Sequence, residues 1–564
     1  MLLLGLAIML FLRPDRCVAG SRSVLDLQPC QTTSTLTFGT QKATLYNLNP
    51  YINAWYVFEL KQPNGVEKSY HLENSFPDHQ SLELDRNDGL VLVGDSATER
   101  CVLWKTAADT TLSSATGGNR PFVELCNGKV FLRNQSAGHR TRKEWVADLL
   151  RDRVRYGESI TNFIKERFFK DKYRLATKVQ QQDTPDKGSE EARSPIRVSC
   201  IDGARNMTLS APELNLMVSG EPSGGFIPGR WYAVPGYDGI YLSVVTPGLV
   251  ALDSSWVKSN TIDPLDSIEA SSIVYLVAFD LSVFDLRYAV GTDHPRVDWS
   301  DRVPASSRDT TMPGPDGFGT IYPLQRTGKV NPREVGEVAA AFASGFKRTH
   351  GAFKWGDLSR VNHGSHYGFM EEGVILSTLQ PGLATLVVYM DGTVEMKTWD
   401  ESDQPTVQYI RYARQNGVPL LEVDNETCDT VPGKLVRDWA GANWSGSESK
   451  LLRTLRAGAC IQETERTSFL IYGYLSSATP SAMARVFDAC HTDYAMHLDM
   501  NAPEHTYLAI YRAVGSQFIV QRLVKEMAEV DPSVGGQELP RFIGYSDNRD
   551  FFYLLRKDQG EKSQ

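Results

Sequence analysis

The run Tyr494-Ala-Met-His-Leu-Asp-Met-Asn-Ala-Pro-Glu-His505 gathers two imidazoles, two carboxylates and an amide in one short stretch. Tyr494, Met496 and Leu498 alternate as the buried face of a strand would. His497 and Asp499 then share the opposite face, about 7 Å apart at ~3.3 Å per residue. Pro503 ends the strand and leaves Asn501, Glu504 and His505 on a loop. A carboxylate and imidazoles placed together in this way suit general acid–base work near neutral pH.

Other candidates lie upstream in glycine-rich segments. Gly291-Thr-Asp-His-Pro295 sets an acid beside an imidazole, and Pro295 holds His294 extended. In Gly345-Phe-Lys-Arg-Thr-His-Gly351 and Asn362-His-Gly-Ser-His-Tyr-Gly368 the glycines allow close backbone approach to a ligand. Lys347, Arg348, His350 and His366 supply donors there, an inventory that suits a phosphate or a sugar. Turn-forming and packing roles compete with each of these readings. Asp293, His294 and Glu504 could also ligate a divalent cation, although no spacing is specific for a metal, so the metal set is open and no other cofactor is expected. The chain has no Walker loop, no GxGxxG opening a helix, no GxSxG elbow and no HExxH. Nucleotide hydrolysis, Rossmann redox chemistry, serine hydrolysis and zincin chemistry are thereby set aside.

The elements that must position these residues belong to a chain of 564 residues, too long for one core and read as two or three domains. A net charge of −9 with no long basic run argues against a nucleic-acid partner. Leu2 to Leu12 is an apolar run too short to span a bilayer but suited to a signal-peptide core, so residues 1–20 are expected to direct export or to act as an N-terminal anchor. No later segment is apolar enough to cross a membrane.

Residues 21–135 read as a β-rich accessory domain, with strand alternation around Ile52 to Leu60 and hairpin signals at Asn64-Gly65 and Asn127-Gly128. Cys101 and Cys126 are the candidate disulfide, and Cys490 is expected to pack a helix end. Residues 136–180 read as a helical connection and 181–197 as a polar linker. Residues 198–556 mix strands at 239–245, 273–281, 385–389 and 468–475 with helices at 332–346 and 480–490, each helix opened by an N-cap (Asn331, Thr479) and a proline. The expected class is α+β: mainly antiparallel mixed sheets with packed helices in the C-terminal domain, and a β-rich N-terminal domain.

Ala343-Ser-Gly-Phe346, Tyr389-Met-Asp-Gly-Thr-Val394, Arg456-Ala-Gly-Ala-Cys460 and, after the 480–490 helix, His497-Leu-Asp-Met-Asn501 occur in an order that resembles the phosphodiester glycosidase family over roughly residues 230–511. That family shows an Asn-Gly-Gly-Phe segment, an xGxV turn, an Arg-Thr-Ala-x-Gly strand and Leu-Asp-Gly-Gly-Gly-Ser. Here Ala343 replaces the first asparagine, Ala457 the threonine, and Met500-Asn501-Ala502 the glycine triplet. The resemblance implies an exported hydrolase cleaving a sugar–phosphate bond in a cell-wall, capsular or secreted glycan. Under it Asp499 is nucleophile, base or electrostatic stabiliser, and Arg456 the phosphate ligand. His497 or His505 shuttles a proton, and Asn501, Asn416, Lys347, His350, His366 and His294 hold substrate. The rival readings are a glycan-binding protein that has lost hydrolysis, with Trp55, Tyr56 or Trp104 stacking on sugars, and a metal-dependent phosphoesterase.

Overall fold

The computed structural model describes residues 22–38, 41–61, 65–86, 89–103, 111–116, 120–146, 179–181, 207–220, 225–250, 254–438, 453–515, 517–534 and 537–557. The expected leader, Trp104, most of the 181–197 linker and the larger part of the 136–180 connection lie outside these residues. Among the described residues no helix is long and apolar enough to cross a membrane.

Strands dominate, and the α+β expectation is corrected to a mainly β architecture. An eight-stranded antiparallel sheet runs in the order Tyr232–Ala233, Ile240–Val245, Val274–Asp280, Ser468–Ala478, Thr454–Glu463, Ala495–Met500, Pro419–Val423, Thr430–Pro432. A five-stranded sheet, ordered Phe284–Ala289, Phe551–Arg556, Val338–Ala343, Leu508–Val514, Gln517–Arg522, packs against it. Phe342 bridges the two, its ring centroid 5.3 Å from Tyr472 and 5.5 Å from Phe552.

The strands expected at 239–245, 273–281, 385–389 and 468–475 are present, with ends shifted by a few residues. The helix expected over 332–346 is not. Asn331 does accept a backbone hydrogen bond, from Arg333 N, but only a short turn follows before Val338–Ala343 enters the sheet. That strand lies between Phe551–Arg556 and Leu508–Val514 with every residue buried. A strand buried on both faces loses its alternation and reads like a buried helix, and its alanines strengthen that impression.

The long helix, Pro480–Asp488, forms as expected: Thr479 Oγ1 accepts from Ala482 N at 3.2 Å, and Pro480 takes the first helical position. It settles on the sheet where Gly458 and Gly473 sit opposite each other on adjacent strands. A Cβ at Gly458 would lie 2.7 Å from the Phe487 ring, and one at Gly473 2.9 Å from it. The glycines therefore make the seat for Phe487.

Residues 32–133 form a six-stranded sheet, Thr32–Phe38, Gln41–Asn47, Trp55–Lys61, Glu67–Asn74, Val130–Arg133, Phe122–Leu125, with a core of their own. The two expected hairpins are there, Asn127 with φ 56° and Gly128 with φ 78° closing one of them, and Cys101 and Cys126 are disulfide-bonded. Alternation along Trp55–Lys61 divides its side chains: Tyr56 and Phe58 enter the local core, whereas Trp55 and Val57 enter the core shared with the large sheets. Trp55 and Tyr56 are thus packing residues. Arg133 fixes the junction, donating to Glu73 at 2.7 Å, Thr327 at 3.1 Å and Glu371 at 3.3 Å while lying over the Trp55 ring.

Candidate functional site

Strand Val338–Ala343 delivers the chain into Ser344-Gly-Phe-Lys-Arg348, and this loop is the floor of the site. A Cβ on Gly345 would stand 2.8 Å from both Arg414 Nη2 and Asn416 Oδ1, so a side chain here would displace two anchored neighbours. Asn416 sews the loop to the Ala495–Met500 strand: its Oδ1 accepts from Phe346 N at 2.9 Å and its Nδ2 donates to the carbonyls of His497 and Leu498, each at 2.8 Å. The amide expected to hold a sugar hydroxyl is engaged with backbone. Asn501 likewise shapes a turn, with φ 81° and its Oδ1 accepting from Thr454 Oγ1.

The alternation expected of residues 494–500 holds, with Met496 and Leu498 in the shared core, but His497 and Asp499 are buried too. Asp499 takes its guanidinium from Arg549 rather than from Arg456: Arg549 Nη1 donates to Asp499 Oδ2 at 2.5 Å. Burial raises the Asp499 carboxyl to about 6, with Arg549 opposing the rise. Arg549 Nη2 reaches His505 Nε2 at 2.6 Å and Glu144 Oε1 at 3.3 Å. Glu144 comes from a helical turn at residues 142–146, within the expected helical connection. Its Oε1 also accepts from Lys347 Nζ at 2.7 Å and Asn548 Nδ2 at 3.0 Å. Burial favours the protonated acid, yet Arg549 and Lys347 outweigh it and hold the Glu144 carboxyl well below the ordinary range. Lys347 contacts Asp293 as well, at 3.0 Å, and Asp293 is held low by Lys347 and Arg140 against its burial.

Both histidines expected to move protons are otherwise occupied. His497 Nδ1 lies 2.5 Å from Leu498 O and His505 Nδ1 2.8 Å from Met500 O, so each Nδ1 carries the hydrogen and each Nε2 accepts from an arginine. Burial and the adjacent arginine lower both imidazoles well below their usual value. In this arrangement they stand as neutral clamps on Arg456 and Arg549.

Arg456 is fully buried. Its Nε donates to Ala478 O at 2.8 Å, and its Nη1 lies 3.0 Å from His497 Nε2 and 3.2 Å from Met500 Sδ. Burial pulls the guanidinium down to about 9, with Glu269 opposing. It does not border the open part of the site.

A cavity of about 400 Å³ opens above the loop, bordered by Arg140, His294, Arg296, Arg326, Lys347 and Tyr367, among others. His294 sits in its wall beside Asp550, Nδ1 to Oδ1 3.5 Å, and burial pushes the imidazole down to about 4. Asp550 is the anchor of the region: it accepts from Arg414 Nε and Ser344 Oγ, each at 2.5 Å, and from Tyr288 OH at 3.0 Å. His366 lies fully buried behind Phe346 and His294, below the cavity rather than in its wall. The side chain of His350 is outside the described residues. Glu504, buried near Arg541, stands apart from Asp293 and His294, and among the described residues no three His, Cys, Asp or Glu side chains converge as a metal set.

The sequence reading missed Glu144, Arg549, Asp550 and Asn548. Asp547-Asn-Arg-Asp550 is a polar run abutting the final apolar strand, the same signal that drew attention to residues 497–505.

No protein-family model matches the chain, and no curated protein matches it. Among solved structures, the zebrafish N-acetylglucosamine-1-phosphodiester alpha-N-acetylglucosaminidase catalytic domain is similar at 9% identity and TM-score 0.30, over 61% of this chain and 95% of that one. A hypothetical protein from Synechocystis is similar at 10% identity and TM-score 0.21, over 94% and 99% of the respective chains. Likeness at this distance carries no statement about activity.

Proposed function

We propose that the chain is a hydrolase that cleaves a glycosyl phosphodiester, with Asp499 as its working carboxylate. The observation that carries this reading is Lys347, which reaches from the wall of the open cavity to the ion-pair cluster that surrounds Asp499. An acid raised to about 6 is ionised at neutral pH yet basic enough to act. It stands beside cations that suit an anionic leaving group.

Breaking the bond between the anomeric carbon and the phosphate oxygen develops positive charge on the sugar ring, which a carboxylate stabilises or captures. Water supplies the oxygen that ends on the anomeric carbon. The bond electrons leave with the phosphate, which also takes up charge and needs little protonation to depart. The substrate class, a phosphate-bearing glycan outside the cell, follows the sequence resemblance and the expected leader.

The test is product identification. Incubation with a synthetic glycosyl phosphodiester is expected to yield the free sugar and the phosphomonoester in equal amounts, undiminished by chelator. Turnover abolished by chelator would support a metal-dependent phosphoesterase instead. Saturable binding without products would support the glycan-binding reading, which the burial of Asp499 favours.

A further inference from the structure

Glu144 is bound as a ligand would be. Its carboxylate is buried, reached through one oxygen by an ammonium, a guanidinium and a carboxamide: Lys347 at 2.7 Å and, some two hundred positions on, the neighbouring Asn548 at 3.0 Å and Arg549 at 3.3 Å. Asp499 shares the same guanidinium. Such a convergence of charged and neutral donors is what an oxyanion site requires, and a planar guanidinium with an ammonium alongside is well matched to phosphate.

The group filling it arrives on the first residues of a helical stretch. Residues 142–146 are helical, and Glu144 N donates to Thr141 Oγ1 at the start. The segment is held at its start by His139, whose N donates to Ser546 O at 2.8 Å and whose ring packs on Tyr545, and further on by Arg140 to Asp293 at 2.5 Å and Lys143 to Glu529 at 2.8 Å; Trp145 beside Glu144 is 57% exposed. The Lys143–Glu529 pair is exposed and weak, on the order of 0–1 kcal/mol. Arg140 and Lys347 both border the open cavity, which gives an incoming anion a route to the site.

We infer that Lys347, Arg549 and Asn548 form the phosphate-binding site of this protein and that the Glu144 carboxylate occupies it as an internal stand-in for the phosphate. The identity of the anion as a sugar phosphate rests on the function proposed above; the existence of the oxyanion site does not. Arg456, tied to backbone and His497, is then a structural arginine, and substrate enters by displacing Glu144.

Titration of the full chain with inorganic phosphate tests this by calorimetry. Removing an internal competitor raises the binding-competent fraction, so Glu144→Gln is expected to tighten phosphate binding by roughly tenfold or more. Adding Lys347→Ala to that variant is expected to abolish the gain. Equal affinity in wild type and Glu144→Gln, or a gain that survives Lys347→Ala, would overturn the inference. Hydrogen exchange on the wild type gives a readout that does not depend on a variant folding: saturating phosphate is expected to speed exchange in residues 139–146. Unchanged exchange there, or no uptake of phosphate by any form of the protein, would equally overturn it. Phosphate binding with no turnover of a glycosyl phosphodiester would leave the oxyanion site standing and remove the hydrolase reading. Turnover with phosphate affinity indifferent to Glu144 would do the reverse.

Discussion

Asp499 and Arg549, fifty positions apart in the chain, meet at 2.5 Å between Oδ2 and Nη1 in a buried pair. The pair joins two strand ends, since Asp499 lies in Ala495–Met500 and Arg549 immediately precedes Phe551–Arg556. His505 and Glu144 both hold the guanidinium at Nη2, at 2.6 and 3.3 Å, leaving Nη1 for Asp499. Fixing both terminal nitrogens of an arginine in this way presets the field at Asp499 before any ligand arrives.

The pH dependence follows from the raised Asp499 carboxyl. Its folded value of about 6 lies above the ordinary 3.8, so the carboxylate form grows as pH rises through 6. The acid limb of kcat/KM is expected to bend near pH 6, and a bend near 4 would show that a different acid limits the reaction. The same sign bears on stability: the folded state holds this proton more tightly, so the Asp499 contribution to folding diminishes as pH rises from about 4 to about 6. In Asp499→Asn that part of the pH dependence of unfolding is expected to disappear.

Arg133 carries the junction between the N-terminal sheet and the rest of the chain. Arg133→Met leaves Glu73 and Glu371 buried without their shared cation, an arrangement that costs about 3–5 kcal/mol. Denaturant unfolding should show a loss of that order. Burial already lifts Glu371 to about 7 despite Arg133, so the variant is expected to be partly rescued at acidic pH, where both acids take up protons. A loss below ~1 kcal/mol would mean that the junction is held mainly by apolar contacts.

Gly458→Ala places a methyl 2.7 Å from the Phe487 ring and 2.9 Å from the Met496 carbonyl oxygen. Overpacking of this kind costs about 1–3 kcal/mol. Thermal unfolding is expected to shift down accordingly, and Phe487→Leu in the same chain is expected to recover part of the loss. Unchanged stability in the single variant would show that the Pro480–Asp488 helix can slide on the sheet.

The strand at 494–500, the capped helix at 480 and the Cys101–Cys126 bond were legible because each rests on nearby sequence: alternation, a Thr-Pro start, and two cysteines at the ends of strands that follow one another along the chain. The 338–343 strand was not, because complete burial removes the period that identifies a strand. Asp499 and Lys347 could be singled out from composition and spacing. Their partners could not, because Arg549 meets Asp499 only where the five-stranded sheet packs on the eight-stranded one, and Glu144 arrives from a segment that runs beside residues 546–547. The Arg456 surroundings were not legible either: a register shift lies between Arg456 and Gly458, the Arg456 guanidinium meets His497, and Asp499 meets Arg549.

The most direct measurement is the rate of free-sugar release from a glycosyl phosphodiester by wild type and by Asp499→Asn, with thermal unfolding of both recorded alongside. Wild-type turnover is expected, and the amide variant, folded, is expected to lose it by at least ~10²-fold, the scale on which a positioned acid or base contributes. A folded Asp499→Asn protein that releases sugar at the wild-type rate would contradict the placement of the chemistry at this carboxylate.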